Sequence, residues 1–280
     1  MRARRTLKAG LSLFKIRIAE GLQYRLAALS GATVSIFWAL IEIVVLTVFF
    51  TYGNNTSENI NGMTLAQGIA YIWMTQSLYG LLSMGIDEDI RAKITGGNVS
   101  VELCRPLDLY WHWFARSSAG AVSATVLRGG FVYVCGAVIS LLGFVHIGAA
   151  PPASFLNFAL FLLSVFEALV FATAFRMFLL AIRLGVEWGD GPLNLVMVFA
   201  GILSGAYLPL QLWPDFMQAF LRLQPFAASL DTPVKLYIGS VGLADGLVSV
   251  AFQAVWIVAF VISGRLIMKQ KIKNIVVQGG

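Results

Sequence analysis

The sequence predicts an all-α integral membrane protein: six transmembrane helices, an N-terminal interfacial amphipathic helix, and external re-entrant helices between spans 5 and 6. Three observations carry this. Apolar runs near 28–52, 65–86, 121–145, 155–180, 191–208 and 245–267 match the roughly 20 helical residues that a hydrocarbon core of about 30 Å requires. Charged residues are only 12% of the chain and hydrophobic ones 58%, whereas a soluble domain carries about 25% charged residues. Finally, the basic residues segregate. With the N-terminus inside, the inner segments hold Arg2, Arg4, Arg5, Lys8, Lys15, Arg17, Arg25, Arg91, Lys93, Arg105, Arg116, Arg176, Arg183, Arg265, Lys269, Lys271 and Lys273. The outer segments hold Arg222 and Lys235, and Arg128 stays within a span. The positive-inside rule then places both termini in the cytoplasm of a multi-pass bacterial inner-membrane protein.

The net charge of +6 reads as flanking membrane anchors. A nucleic-acid partner would need a folded basic module, for which the chain has no room; the expected solvent partner is lipid. Cys104 is expected in an inner loop and Cys135 in a span, which argues against their pairing. The first 26 residues are basic and amphipathic, without the apolar core and small-residue site of a cleavable signal.

Residues 7–26 space Leu7, Leu11, Phe14, Ile18, Leu22 and Leu26 three and four apart, with Lys8, Lys15, Arg17 and Arg25 on the other faces. This is the pattern of a helix lying in the headgroup plane, either a plain anchor or an elbow that passes force to span 1. The first unit is thus 1–27, followed by the membrane domain 28–267 and a basic cytoplasmic tail 268–280. Span 1 ends at Gly53-Asn54-Asn55-Thr56-Ser57, a polar outer loop whose match to a glycosylation sequon is too common to carry weight. The inner loop 87–112 is the most charged part: Asp87-Glu88-Asp89-Ile90-Arg91, then Gly96-Gly97, then Leu103-Cys104-Arg105-Pro106-Leu107. A charged helix, a Gly break and an Arg-Pro turn make an ordered, protruding element. Between spans 5 and 6, Pro209, Pro214, Pro225 and Pro233 cut the outer segment 207–244 into short pieces. Piece 214–223, preceded by Trp213, sets Phe216, Phe220 and Leu223 on one face. These pieces are too short to span and too apolar for water, so they are expected to dip into the outer leaflet, packed on protein.

Chemistry-bearing patterns are few. There is no G-x-x-x-x-G-K-[ST] loop for nucleotide phosphates. His112 and His146 fall at opposite faces, no Cys/His cluster has ligand spacing, and no metal site is expected. Glu42, Arg128 and Glu167 lie inside spans, where each charge costs about 2.5–3.5 kcal/mol on insertion scales and should face protein or water. Glu42 or Glu167 is the expected partner of Arg128, as a register-fixing ion pair or as a polar path lining. Gly201-Ile202-Leu203-Ser204-Gly205 is a G-x-x-x-G that could bring two helices close. The tryptophans read as interface belt and packing residues.

The run Asp87 to Arg91, Gly97, and Leu103-x-Arg105-Pro106-Leu107 resemble the membrane permeases of type-2 ABC exporters. So does the late segment, with Leu208-Pro209, Trp213-Pro214, Pro225-Phe226, Pro233 and Gly239. The resemblance covers essentially the whole chain in span order. It implies a non-catalytic half-transporter that binds no cofactor itself. Two ABC ATPase subunits per complex would carry ATP and Mg, and a second permease, identical or paralogous, would complete the pathway. Asp87, Glu88, Ile90, Arg91, Gly97, Leu103, Arg105 and Pro106 would form the coupling element. Pro209, Trp213, Pro214, Phe216, Phe220, Pro225 and Phe226 would form an external gate. Two other readings stand beside this one. A gradient-driven secondary transporter would use Glu42 and Glu167 but normally shows inverted repeats, which are missing. A non-transporting scaffold would have no use for the proline-broken outer segment.

Overall fold

The computed structural model describes residues 25–52, 59–82, 88–96, 99–104, 108–184 and 191–273, with Ser12, Lys15, Ile16 and Ala19. Most of the expected N-terminal interfacial helix lies outside these residues, as do the tail beyond 273 and Asp87, Gly97, Arg105 and Pro106.

The architecture is all-α apart from a two-stranded antiparallel ribbon, β1 (Asn59–Ile60) and β2 (Met63–Thr64). The long helices are α1 (Arg25–Tyr52), α5 (Leu109–Leu141), α6 (Phe155–Arg183) and α10 (Leu243–Lys273). Each is long and apolar enough to cross a membrane. Helix α2 (Leu65–Leu82) is shorter and sits in the centre of the bundle, with residues 68–78 all buried. Helix α7 (Gly191–Leu203) has 13 residues, about 20 Å at 1.5 Å per residue. Four short helices complete the described chain: α3 (Glu88–Thr95), α4 (Val99–Leu103), α8 (Asp215–Leu223) and α9 (Asp231–Ile238).

Two helix boundaries and the placement of one charge differ from the sequence-based expectation. The helix that carries the third apolar run begins at Leu109, ahead of the run's expected start at 121, because Asp108 caps it: its carboxylate accepts from Trp111 N at 3.2 Å. His112 and Arg116, expected in a lead-in loop, therefore sit on the first turns of α5. The fifth apolar run stops at Leu203 instead of 208. There Ser204 Oγ donates to Gly201 O at 2.7 Å and Gly205 takes φ +83°, a conformation open to glycine. Gly201 and Gly205 thus do not form a stripe on one helix. Finally, Arg176, grouped with the flanking charges, lies within α6 and is 7% exposed.

Helices α2 and α5 meet backbone to backbone. A Cβ on Gly129 would fall 1.8 Å from Ser77 O, and one on Gly80 would fall 2.8 Å from Thr125 Cα. This approach happens where α5 widens into a π turn at Thr125–Gly129. Such single wide turns are frequent at functional positions. Helix α10 lies along α6; Ser164 Oγ donates to Gln253 Oε1 at 2.7 Å, and Gln253 Nε2 donates to Ala228 O at 2.7 Å. Where lipid is as apolar as leucine, such packing and interhelical hydrogen bonds hold the bundle together.

Two ends are distinguished by their packing. At one, Ile90 and Val99 join Leu109, Trp113, Met177, Leu180, Leu184 and Met268 in a closed apolar cluster. At the other, the segment 204–242 folds over α2, α6 and the 142–154 turn. The exposed faces of α1 and α7, including Phe37, Val44, Val45, Leu195 and Phe199, are apolar as a lipid-facing surface requires.

Candidate functional sites

The first site is the α3–α4 element. Helix α3 seats Ile90, fully buried, in the apolar cluster formed by the neighbouring ends of α5, α6 and α10. Ion pairs fix its orientation. Arg116 on α5 pairs with Asp89. Lys93 Nζ lies 2.6 Å from Glu102 Oε1, and His112 Nε2 lies 3.4 Å from Glu102 Oε2. Glu102 is 5% exposed, so it links α3, α4 and α5 from a buried position. Beside it, Arg265 on α10 lies 3.5 Å from Asp108 Oδ2 and 6.0 Å over the Trp111 ring. The outer surface of the element is open: Arg91, Val101, Leu103 and Cys104 are exposed. A short motif is thereby fastened to three long helices while one face stays exposed. Glu88 starts α3.

The second site is the intramembrane polar set. Arg128 sits in the π turn of α5 and reaches α1, donating to Ser35 Oγ from Nε at 3.0 Å and from Nη2 at 2.5 Å. Its guanidinium also lies 5.5 Å from the Tyr79 ring centroid on α2. The expected pairing with Glu42 or Glu167 is not formed. Glu42 Oε1 accepts from Gln76 Nε2 at 3.1 Å, and Glu167 Oε2 is buried with no hydrogen-bond partner among the described residues. The wide turn aims Arg128 at α1 and the Tyr79 face, which replaces a carboxylate with a hydroxyl and a ring.

The third site is the 204–242 segment. Its hub is Asp231, 3% exposed at the start of α9. Asp231 Oδ1 accepts from Tyr71 Oη at 3.0 Å and from Leu210 N at 3.3 Å, and Oδ2 lies 2.6 Å from Lys235 Nζ. Its own N–H donates to Ser204 O at 3.0 Å. Tyr133 and Tyr237 hydroxyls meet at 2.6 Å and Tyr237 donates on to Ala150 O at 2.9 Å; burial, then the Tyr133 contact, pushes the Tyr237 hydroxyl pKa up. Of the expected gate residues, Pro209 precedes a short 3-10 turn and Pro214 is the N-cap residue of α8. Phe216 and Phe220 project from α8 at 83% and 55% exposure. Trp213 Nε1 is buried, and Phe226 packs edge-on against Phe175 of α6. Pro225 caps the turn that carries Phe226. Sequence reasoning missed Ser35, Tyr79, Tyr71 and Asp231. Only Asp231 carried a signal, a carboxylate four residues before Lys235 in an apolar stretch.

A bundle of long apolar helices, with a charged loop element clamped to one end and a helical cap over the other, defines a polytopic all-α membrane protein. The profile of the ABC-2 family transporter proteins matches residues 36–279. The chain belongs to that family and is an ABC transporter permease component. No curated protein matches it significantly.

Proposed function

We propose that the chain is one half of the translocation pathway of an ATP-driven exporter, coupled to a separate ATPase through the α3–α4 element. The observation that carries this reading is the way that element is held: Ile90 locks it to α5, α6 and α10, while Arg91, Val101 and Leu103 stay exposed. A push on that face moves three membrane helices together. Asp87, Gly97, Arg105 and Pro106 belong to the same element by sequence. In this reading the chain spans the inner membrane six times, with α2 and α7 as the two shorter passages and both termini in the cytoplasm. Two ATPase subunits with ATP and Mg, and a second permease, complete the complex. The 204–242 segment lies re-entrant in the outer leaflet as the external gate, and the half-buried Glu42, Arg128 and Glu167 line or brace the path.

The test is co-purification. Tagged protein solubilised in mild detergent should bring down a stoichiometric ATPase, identified by mass spectrometry. Reversal at Arg91 and Arg105 together should release the ATPase with membrane insertion unchanged. Retention of the ATPase by the double reversal defeats the coupling assignment, and a protein that purifies alone points to a gradient-driven carrier.

A further inference from the structure

Helix α1 turns one stripe toward Arg128. Gly31, Ser35, Trp38, Glu42 and Val45 follow one another at spacings of four and three, so they share a face. A Cβ on Gly31 would lie 3.5 Å from Arg128 Cδ. The arginine stem thus crosses the N-terminal end of the stripe, and its head ends at Ser35. Helix α2 floors the same groove with Gln76 and Tyr79, and the stretch after α7 brings Tyr207 beside Tyr79. The groove is open. Glu42, Tyr79 and Arg128 are half-buried, while Trp38 and Tyr207 are 53% and 56% exposed.

Two charges of opposite sign stand in this groove, and neither makes an ion pair among the described residues. Arg128 commits Nε and Nη2 to Ser35, whereas Nη1 makes no hydrogen bond there and is not occluded. Glu42 commits Oε1 to Gln76, and Oε2 is likewise unbonded and open. Their stations on α1, Ser35 and Glu42, are seven residues apart, about 10 Å along a helix that rises 1.5 Å per residue. That distance keeps the two from neutralising each other, and it sets the length of anything that neutralises both. Charges within a bilayer are tolerated where they meet water or a counter-charge. Between them, Trp38, Tyr79 and Tyr207 offer aromatic surface that suits an apolar body.

We infer that this groove binds an extended amphiphilic zwitterion of the length of an apolar tripeptide. Its carboxylate meets Arg128 Nη1, its ammonium meets Glu42 Oε2, and its side chains lie against Trp38, Tyr79 and Tyr207. Three residues of extended chain cover about 10 Å. That such a ligand is cargo rests on the exporter reading; its binding needs no ATPase.

The experiment is equilibrium binding of radiolabelled trileucine to the purified full-length protein in maltoside detergent, competed by unlabelled trileucine, N-acetyl-trileucine, trileucine amide and dodecylphosphocholine. Free trileucine should compete best, and each capped form about tenfold worse for the loss of one charged hydrogen bond. Arg128→Met should weaken trileucine about tenfold without weakening the amide. Glu42→Gln should do the same without weakening the N-acetyl form. A merely structural role would weaken all three alike. Arg128→Lys, which keeps the charge, should recover part of the loss. Trp38→Ala, at an exposed position, should weaken all three ligands together at unchanged melting temperature. Absence of saturable trileucine binding, equal binding of the capped forms, or charge variants that leave the order of ligands unchanged overturns the inference. Stronger competition by dodecylphosphocholine, whose charges are adjacent, overturns the peptide and assigns the groove to a lipid head. ATPase co-purification reports separately: a protein that binds trileucine but purifies alone loses the exporter reading and keeps the site.

Discussion

Tyr71 and Asp231, 160 residues apart in sequence, meet in the interior: the phenol donates to the carboxylate at 3.0 Å. The bond joins the central helix α2 to the first turn of α9. Because the same carboxylate holds Leu210 N and Lys235, one buried acid anchors the 204–242 segment to the bundle. A gate built on this segment would move with α2 or break this hub.

Asp231→Ala leaves Lys235 and the Leu210 amide without their acceptor, and Tyr71 with Gly205 O alone at 3.1 Å. Removing one partner of a buried charged pair costs about 3–5 kcal/mol, and Tyr71→Phe, which deletes a single hydrogen bond, about 1 kcal/mol. Thermal unfolding in detergent should rank the variants in that order, and limited proteolysis should cut the 204–242 segment first in Asp231→Ala. Equal stability of Asp231→Ala and wild type would show that the hub does not hold the segment.

Gly129 and Gly130 form a matched pair of tests. Gly129→Ala places a methyl 1.8 Å from Ser77 O, where backbone must move, while the space around Gly130 is empty within 4 Å. The first substitution should cost about 3 kcal/mol or more through overpacking. The second should be neutral, or stabilising by up to about 1 kcal/mol through helix propensity. The measurement is the melting temperature of each variant, and similar values for both would refute the close approach of α2 and α5.

Arg128→Met keeps volume and removes a charge whose contacts are a hydroxyl and a ring. With no carboxylate left unpaired, stability should be unchanged or higher. A role in the path would then appear as lost transport in a folded protein. A drop of more than about 3 kcal/mol in stability would instead identify Arg128 as a structural brace.

In the α3–α4 element, Asp89→Arg should loosen α3 by opposing Arg116, and adding Arg116→Asp should restore it. Hydrogen exchange of residues 88–95 reads the effect. The pair is partly exposed on the Asp89 side, so a coupling of about 0.2–1 kcal/mol is expected. Val101→Asp, on an exposed position, should leave exchange unchanged and weaken ATPase capture.

Which parts of this were legible in the chain follows from range. The apolar runs, the amphipathic pieces after Pro209 and the charged loop all arise from local composition and spacing, and the helices at 25–52, 155–183 and 243–273 follow them within a few residues. The start of α5 at Leu109 was written locally too, in the Asp108 cap, but the more polar residues that follow masked it. What only the tertiary structure decided is pairing. Composition put Arg128 and two acids in the membrane; the π turn gave Arg128 to Ser35 and Tyr79, while helix packing gave Glu42 to Gln76 and left Glu167 Oε2 buried. Asp231 ties the 204–242 segment to the bundle because α2 brings Tyr71 against it. Local pattern fixes how each segment meets lipid or water, whereas partner choice depends on helix rotation and depth, set by close contacts such as Gly129 on Ser77 that no single segment encodes.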